Sequence, residues 1–145
     1  VFSQCIDTIV KHVGDIGHMV NEFSSFARMP EAVMKPHNFN RIIQDIVILN
    51  KQAHPQISIE FTPTPVADSV LCDDQQMRQA VTNIITNALD SVLARLQKHP
   101  EPSGKISLDI RLDPTEEDMM LLSLTDNGLG LPKDRDPQSL TEPYV

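Results

Sequence analysis

The sequence contains no tryptophan and only one tyrosine and five phenylalanines in 145 residues. Because 40% of the residues are nevertheless hydrophobic, the core must consist mainly of Ile, Val, Leu and Met, which contribute about 1.5–3 kcal/mol each when buried. The length allows one ordinary domain, or a small domain with an appended helix.

Basic residues are also scarce: the sequence has 12 Lys and Arg but 20 Asp and Glu, which gives a formal net charge of −8. This balance argues against a nonspecific nucleic-acid binder, which needs many cations to displace counterions from phosphates. It also argues against binding to an anionic membrane surface. A phosphate ligand would have to be held by local dipoles, a metal ion or a few well-placed cations.

The two cysteines, Cys5 and Cys72, lie far apart and outside any CxxC or Cys/His array. A disulfide framework and a zinc site are therefore not expected, and we predict two buried thiols in a reducing cytosol. The first fifteen residues mix apolar side chains with acids and histidines, so they form neither a signal peptide nor a membrane span. We expect residues 1–145 to be cytoplasmic without direct membrane contact, while the sequence leaves open whether the parent protein is anchored in the inner membrane.

The strongest periodicity lies in residues 1–28, where apolar side chains recur at alternating steps of four and three. The seam consists of Phe2, Ile6, Ile9, Val13, Ile16, Val20, Phe23 and Ala27. Such a heptad pattern predicts a long helix that packs one face on a partner, although Gly14 and Gly17 each weaken it by about 1 kcal/mol relative to alanine. We expect the seam to pair between two chains as a homodimer or to belong to a larger bundle. The alternative is an amphipathic helix folded back on its own domain.

Pro30 ends this helix, and residues 30–39 are predicted to be an extended linker. A second helix is expected at residues 40–52, with Asn40 as its N-cap. Its predicted buried stripe is Ile42, Ile43, Ile46, Val47 and Leu49. Alternating apolar residues predict a strand at 57–61 and a short strand at 70–72.

A third helix is predicted to begin at Asp73 or Asp74, where Asp73 and Gln76 fit a capping box. Its broad apolar face consists of Met77, Ala80, Val81, Ile84, Ile85, Ala88, Leu89 and Val92. Strands are expected at 105–112 and 119–125. This order of elements predicts an α+β fold, a two-layer sandwich with helices on one face of an antiparallel or mixed sheet.

Three short features carry chemical information. Asn83 and Asn87 lie four residues apart on one helical face, and amide oxygens are hard ligands that suit Mg²⁺. An ordinary polar stripe on a half-exposed helix would show the same spacing. Asp126, Gly128 and Gly130 follow an apolar strand, where a carboxylate can accept from the amine of adenine; DNG is also a common turn. Residues 140–145, LTEPYV, are uninformative alone.

Taken in this order, NxxxNA, DNGLGLP and TEPYV resemble the N, G1 and F boxes of histidine-kinase ATPase domains. VGDIGHMVNEFSSFARMP looks like the end of the second dimerisation helix in nitrogen-regulation sensor kinases of the NtrY/NtrB type. The resemblance implies a Bergerat-type ATP-binding domain at 40–145, truncated before the G2 box. It would follow a linker at 30–39 and the end of a dimerisation and phosphotransfer bundle at 1–29.

Carried over to this sequence, the resemblance implies that Asn87 ligates Mg²⁺, that Asn83 supports the metal and the phosphates, and that Asp126 recognises the adenine of ATP. Gly128 and Gly130 would shape the adenine end of the pocket. Asp90 departs from the pattern, since many kinases of this superfamily have lysine there, although nitrogen-regulation kinases often have an acid or a small polar residue.

The related Hsp90, gyrase B and MutL ATPases usually have glutamate where this chain has Asn83. An amide cannot act as a general base, so the residues favour a histidine kinase that phosphorylates itself and then a response regulator. A non-catalytic dimerisation or interaction module with a vestigial site, or an ATPase of the wider superfamily, are the alternatives.

None of the five histidines matches the phosphoacceptor. His12 and His18 lie on a helix that resembles the one after the acceptor helix, and His37, His54 and His99 lie in linkers or at helix ends. We therefore assign no catalytic residue within 1–145. We expect residues 1–145 alone not to autophosphorylate and to bind nucleotide weakly at best.

Overall fold

The computed structural model describes residues 2–27, 30–131 and 133, except for the side chains of Phe2 and residues 21–27. The chain divides into two compact units, residues 1–32 and 33–145. The elements follow the order α1 (Phe2–Ala27), β1 (Lys35–His37), α2 (Phe39–Ala53), β2 (Ile57–Phe61), a 3-10 turn (Pro65–Ala67), β3 (Val70–Cys72), α3 (Asp74–Lys98), β4 (Gly104–Leu112) and β5 (Met120–Asp126).

Helix α1 confirms the helix predicted from the heptad pattern, with nearly the expected bounds. All its described side chains, residues 3–20, are exposed, including the seam residues Ile9, Val13 and Ile16. Pairing of this seam with a second chain stays a prediction. The expectation of a buried thiol was wrong for Cys5, which is exposed because it lies on this uncovered helix.

Helix α2 begins one residue earlier than predicted, and its N-cap is Asn38 rather than Asn40. The Asn38 side chain accepts a hydrogen bond from Arg41 N at 3.1 Å. Asn40 is buried instead, where its amide bonds Thr64 N and O and Asp68 Oδ1. These bonds fasten the connection after β2 to the first turn of the helix. Of the predicted buried stripe, all except Leu49 are buried; Leu49 is 66% exposed.

Among the residues that the structure describes, the larger sheet has three strands in the order β2-β4-β5, with β2 parallel and β5 antiparallel to β4. The sheet is therefore mixed, one of the two predicted forms. Strand β3 does not join it: β3 pairs antiparallel with β1, so that Lys35 lies opposite Cys72 and His37 opposite Val70. Residues 35–37, which lie within the predicted extended linker at 30–39, thus form a strand.

Helices α2 and α3 pack on each other and on the larger sheet, which confirms the α+β class. The buried hydrophobic core comprises Phe39, Ile42, Ile43, Ile46, Val47, Ile57, Ile59, Ala67, Cys72, Val81, Ile85, Ala88, Leu89, Val92, Ile106, Leu108 and Ile110. Aliphatic side chains dominate it, as the composition predicts. Burial, reinforced by the nearby carboxylates of Asp74 and Asp73, raises the pKa of the Cys72 thiol.

Candidate nucleotide-binding site

Helix α3 carries most of the candidate site, and its own ends hold it in place. The Asp73 side chain accepts from Gln76 N at 2.9 Å, as the capping prediction required, and from Val33 N at 2.7 Å. These backbone donors lower the pKa of the Asp73 carboxyl. At the same end Arg78 pairs with Asp74 at 3.0 Å and with Asp45 of α2 at 3.2 Å.

The buried face of α3 is narrower than its apolar sequence suggests. Val81, Ile85, Ala88, Leu89 and Val92 are buried, whereas the predicted Ala80 and Ile84 are exposed and Met77 is partly buried. Along its polar side, four residues recur every fourth position: Asn83, Asn87, Ser91 and Arg95. Consecutive residues at this spacing are neighbours on the helix surface. We call these four side chains the polar row.

The first half of the polar row is exposed to solvent. Gln79 Nε2 donates to Asn83 Oδ1 at 3.2 Å, which leaves the Asn83 amide hydrogens to donate to an anion. No donor to the Asn87 amide oxygen is found in the part of the chain that the structure describes. Its neutral, hard oxygen fits Mg²⁺, which needs few protein ligands because it keeps several waters.

The second half of the row contacts the turn that follows β5. Leu129 N donates to Ser91 Oγ at 2.9 Å and to Ser91 O at 3.3 Å. A Cβ on Gly128 would lie 2.1 Å from Ser91 Oγ, so only glycine allows this approach. Ser91 is one helical turn, roughly 6 Å of rise, beyond Asn87. The turn after β5 therefore contacts α3 about one helical turn from Asn87.

Asp126 ends β5 and opens this turn. Its Oδ1 accepts from Gly128 N at 2.8 Å, and its side chain is exposed. The next residue, Asn127, continues the sheet: its N donates to Lys105 O at 3.1 Å and its Oδ1 accepts from Lys105 N at 2.8 Å. Gly130 has a φ of +77°, a backbone conformation that glycine adopts without strain.

The structure therefore places Asn83 and Asn87 in the same helical row as Ser91, which contacts the turn of Gly128 and Leu129 that follows Asp126. Two residues that sequence reasoning missed, Ser91 and Arg95, connect α3 to this turn. The continuing four-residue spacing after Asn87 was the signal that could have identified both. Arg95 is the one cation of the polar row, and its guanidinium is bonded to backbone carbonyls.

Other candidate residues lie elsewhere or outside the described part. Asp90 is exposed on α3, and His12 and His18 are exposed on α1. Residues 140–145, assigned to the F box, lie outside the described residues. Within the described ranges no cluster of three or more His, Cys, Asp or Glu could hold a metal ion, and no helix is long and apolar enough to cross a membrane.

Comparison with known proteins gives a family match over the part of the chain that carries the candidate site. Residues 72–145, which include α3 and the turn after β5, match the family model of histidine kinase-, DNA gyrase B- and HSP90-like ATPases. The nitrogen regulation protein NtrY of Azorhizobium caulinodans is 38% identical over 145 residues, which cover 100% of this chain and 18% of that protein.

Two further relatives extend the comparison. An NtrY-like sensor histidine kinase of Rickettsia conorii is 29% identical over 99% of this chain and 22% of its own length. Sporulation kinase E of Bacillus subtilis is 24% identical over 95% of this chain and 18% of its own length. The chain thus spans about a fifth of these relatives. With its polar row, its glycine turn and a family match over 72–145, the chain belongs to the histidine kinase-, DNA gyrase B- and HSP90-like ATPases and is similar to their NtrY-type sensor kinases.

Proposed function

We propose that the chain is the ATP-binding core of a two-component sensor histidine kinase. The observation that carries the proposal is the contact of Gly128 and Leu129 with Ser91. This contact holds the turn that follows Asp126 against Ser91, which lies one helical turn along α3 from Asn87. A nucleotide can then meet both groups at once, its base at the turn and its phosphates along the polar row.

In this site Asn87 would hold Mg²⁺, Asn83 would donate to phosphate oxygens, and Asp126 would accept from the adenine amine. The metal would neutralise phosphate charge, which the polar row cannot do because Arg95 is committed to backbone carbonyls. The work of the chain is therefore positioning and charge complementarity, which dominate phosphoryl transfer.

The residue types favour transfer to a side chain over transfer to water. Hydrolysis needs a general base that activates water, and Asn83 occupies the position where the hydrolytic relatives have glutamate. An amide has no titratable lone pair for this task. We infer that the γ-phosphoryl group passes to a histidine of the kinase and then to an aspartate of a response regulator.

The exposed apolar seam of α1 supports a homodimer as the form in which this transfer occurs. We propose residues 1–29 as the end of a dimerisation bundle and the unit that follows the linker at 30–39, residues 40–145, as the catalytic domain. A non-catalytic interaction module would use the same seam, but it would have no need for the close approach of Gly128 to Ser91.

Titration of Mg·ATP into the protein in its full natural length tests the proposal. We expect saturable binding that Asn87→Ala abolishes, because the metal loses its amide ligand. Gln75→Ala is the matched control, since Gln75 is an exposed amide on α3 outside the polar row; its dissociation constant should equal that of the unaltered protein. Acid-labile phosphohistidine should form with labelled ATP and be lost in Asn87→Ala.

Binding that is absent in the unaltered protein, or equally affected by both variants, would reject the kinase proposal and favour the interaction module. Release of free phosphate without phosphohistidine would instead favour an ATPase. Residues 1–145 alone should yield no phosphohistidine, because none of their five histidines matches the phosphoacceptor.

A further inference from the structure

The guanidinium of Arg95 connects three separate segments at the end of α3. Its Nε donates to Asn127 O, its Nη1 to His99 O at 3.1 Å, and its Nη2 to Pro102 O at 2.7 Å. A planar fork of donors is suited to such a cluster of carbonyls, whereas a lysine ammonium cannot reach several in fixed directions. The side chain thereby joins the helix end, the α3–β4 connection and the turn after β5.

Ser91 holds the same turn from one helical turn earlier. Its Oγ and its backbone oxygen both accept from Leu129 N, and the absence of a side chain on Gly128 lets the two backbones meet. A larger residue at position 91 would push the turn away. Arg95 and Ser91 therefore contact Asn127, Gly128 and Leu129, the three residues immediately after Asp126.

The turn is also fixed from the sheet side. Asn127 exchanges hydrogen bonds with the backbone of Lys105 and donates its Nδ2 to Ser103 O at 2.8 Å. Asp126 is paired with Ile106 in the sheet, but its side chain is exposed and is held by the hydrogen bond from Gly128 N to its Oδ1. The orientation of its carboxylate thus depends on the anchored turn that follows it.

We propose that Arg95 and Ser91 are positioning residues that set the preference of the site for adenine over other bases. The inference rests on the proposed function. A carboxylate accepts hydrogen bonds from the amine of adenine and repels the carbonyl oxygen that guanine presents at the same place. This discrimination requires the carboxylate to be held within about 0.5 Å of its productive position, which the two side chains ensure through the turn.

Dissociation constants of Mg·ATP and Mg·GTP, measured on the protein in its full natural length, test this inference. The ATP-over-GTP preference should fall about tenfold in Arg95→Met, where charge-assisted bonds are lost, and about threefold in Ser91→Ala, where the backbone oxygen still accepts from Leu129 N. Arg95→Lys should lie between Arg95→Met and the unaltered protein. Arg78→Met is the matched control, an arginine of the same helix that pairs with Asp45 and Asp74; its preference should not change.

A merely structural role predicts a different result. A smaller folded fraction would weaken the apparent binding of Mg·ATP and of Mg·GTP equally, so the ratio of their dissociation constants would not change. An unchanged ratio in Arg95→Lys and Ser91→Ala overturns the inference, whatever the stability of Arg95→Met. If Asn87→Ala abolishes binding while these ratios stay constant, the inference fails and the proposed function stands. If the unaltered protein binds neither nucleotide, both fail.

Discussion

Helices α1 and α3 have nearly the same length, 26 and 25 residues, but they are stabilised in different ways. Helix α3 has a carboxylate cap at Asp73, Asp74 in its first turn, and Arg95 and Lys98 in its last turn, all of which complement the helix dipole. Helix α1 has neither an acid in its first turn nor a base in its last.

Their apolar faces differ in the same sense. The face of α3 is buried on α2 and the sheet, whereas the seam of α1 is exposed along its described side chains. Since most helix stability in proteins comes from packing of an amphipathic face, α3 is stabilised within this chain, and we expect α1 to be stabilised by burial of its seam on a partner. Substitutions of the same kind should therefore act differently in the two helices.

The largest difference is expected for isoleucine truncation. Ile85 is 0% exposed in the core, so Ile85→Ala should lower the free energy of unfolding of the 33–145 unit by about 3 kcal/mol. The same change at the exposed Ile16 should leave that value within about 0.5 kcal/mol. Urea unfolding followed by circular dichroism measures both. Equal losses would contradict the distinction between the helices.

Glycine-to-alanine substitution should be destabilising beside α3. A Cβ on Gly104 would lie 2.7 Å from Val92 Cγ1 and 3.2 Å from Ile57 Cγ1. Val92 is fully buried and β-branched, so it has little rotamer freedom with which to move away. Gly104→Ala should therefore destabilise the unit by about 1–3 kcal/mol in the same urea experiment. A neutral result would show that the core can relax around the methyl group.

In α1 the same substitution should have the opposite sign. A Cβ on Gly14 or Gly17 would meet nothing within 4 Å, and alanine favours the helix interior by about 1 kcal/mol. We expect Gly14→Ala and Gly17→Ala to raise the helical signal at 222 nm and its melting temperature. A loss of helicity at either position would indicate that a partner backbone approaches that glycine closely.

The comparison also explains what could be predicted from the sequence. Helix α3 and the strands with alternating burial, such as β4, have long periodic signals, and their types were confirmed. Strand β1 has only three residues and no detectable period, so its pairing with β3 depends on tertiary structure. The N-cap of α2 was misplaced because Asn38 and Asn40 are equally good caps by residue type, and only packing buries Asn40.

The residues of the candidate site likewise fall into those that could be identified from the sequence and those that could not. Asn83, Asn87 and Asp126 could be named because their residue types and order are visible in the sequence. Ser91 and Arg95 could not, because their partners are backbone atoms of Leu129, Asn127 and Pro102. Backbone atoms have no residue signature, so such contacts become visible only when the turn after β5 is placed on α3.

The smallest expected effect concerns the cap of α3 and its pH dependence. Hydrogen bonds from Gln76 N and Val33 N favour the Asp73 carboxylate and lower its pKa. A carboxyl whose pKa is lower in the folded state stabilises the protein above its unfolded pKa, about 3.9, and this contribution is lost as the pH falls through the folded value.

Asp73→Asn keeps a capping oxygen but removes the charge. The unaltered protein should therefore be more stable than Asp73→Asn at neutral pH, and the two should converge as the pH falls below about 4. Asp15→Asn on α1 is the matched control, because the Asp15 side chain is exposed within the helix. Thermal unfolding between pH 7 and pH 3 measures the difference. If the difference in melting temperature between the unaltered protein and Asp73→Asn stayed constant over this range, Asp73 would stabilise α3 through its shape rather than its charge. The cap would then differ from the exposed carboxylates of α1 only in geometry.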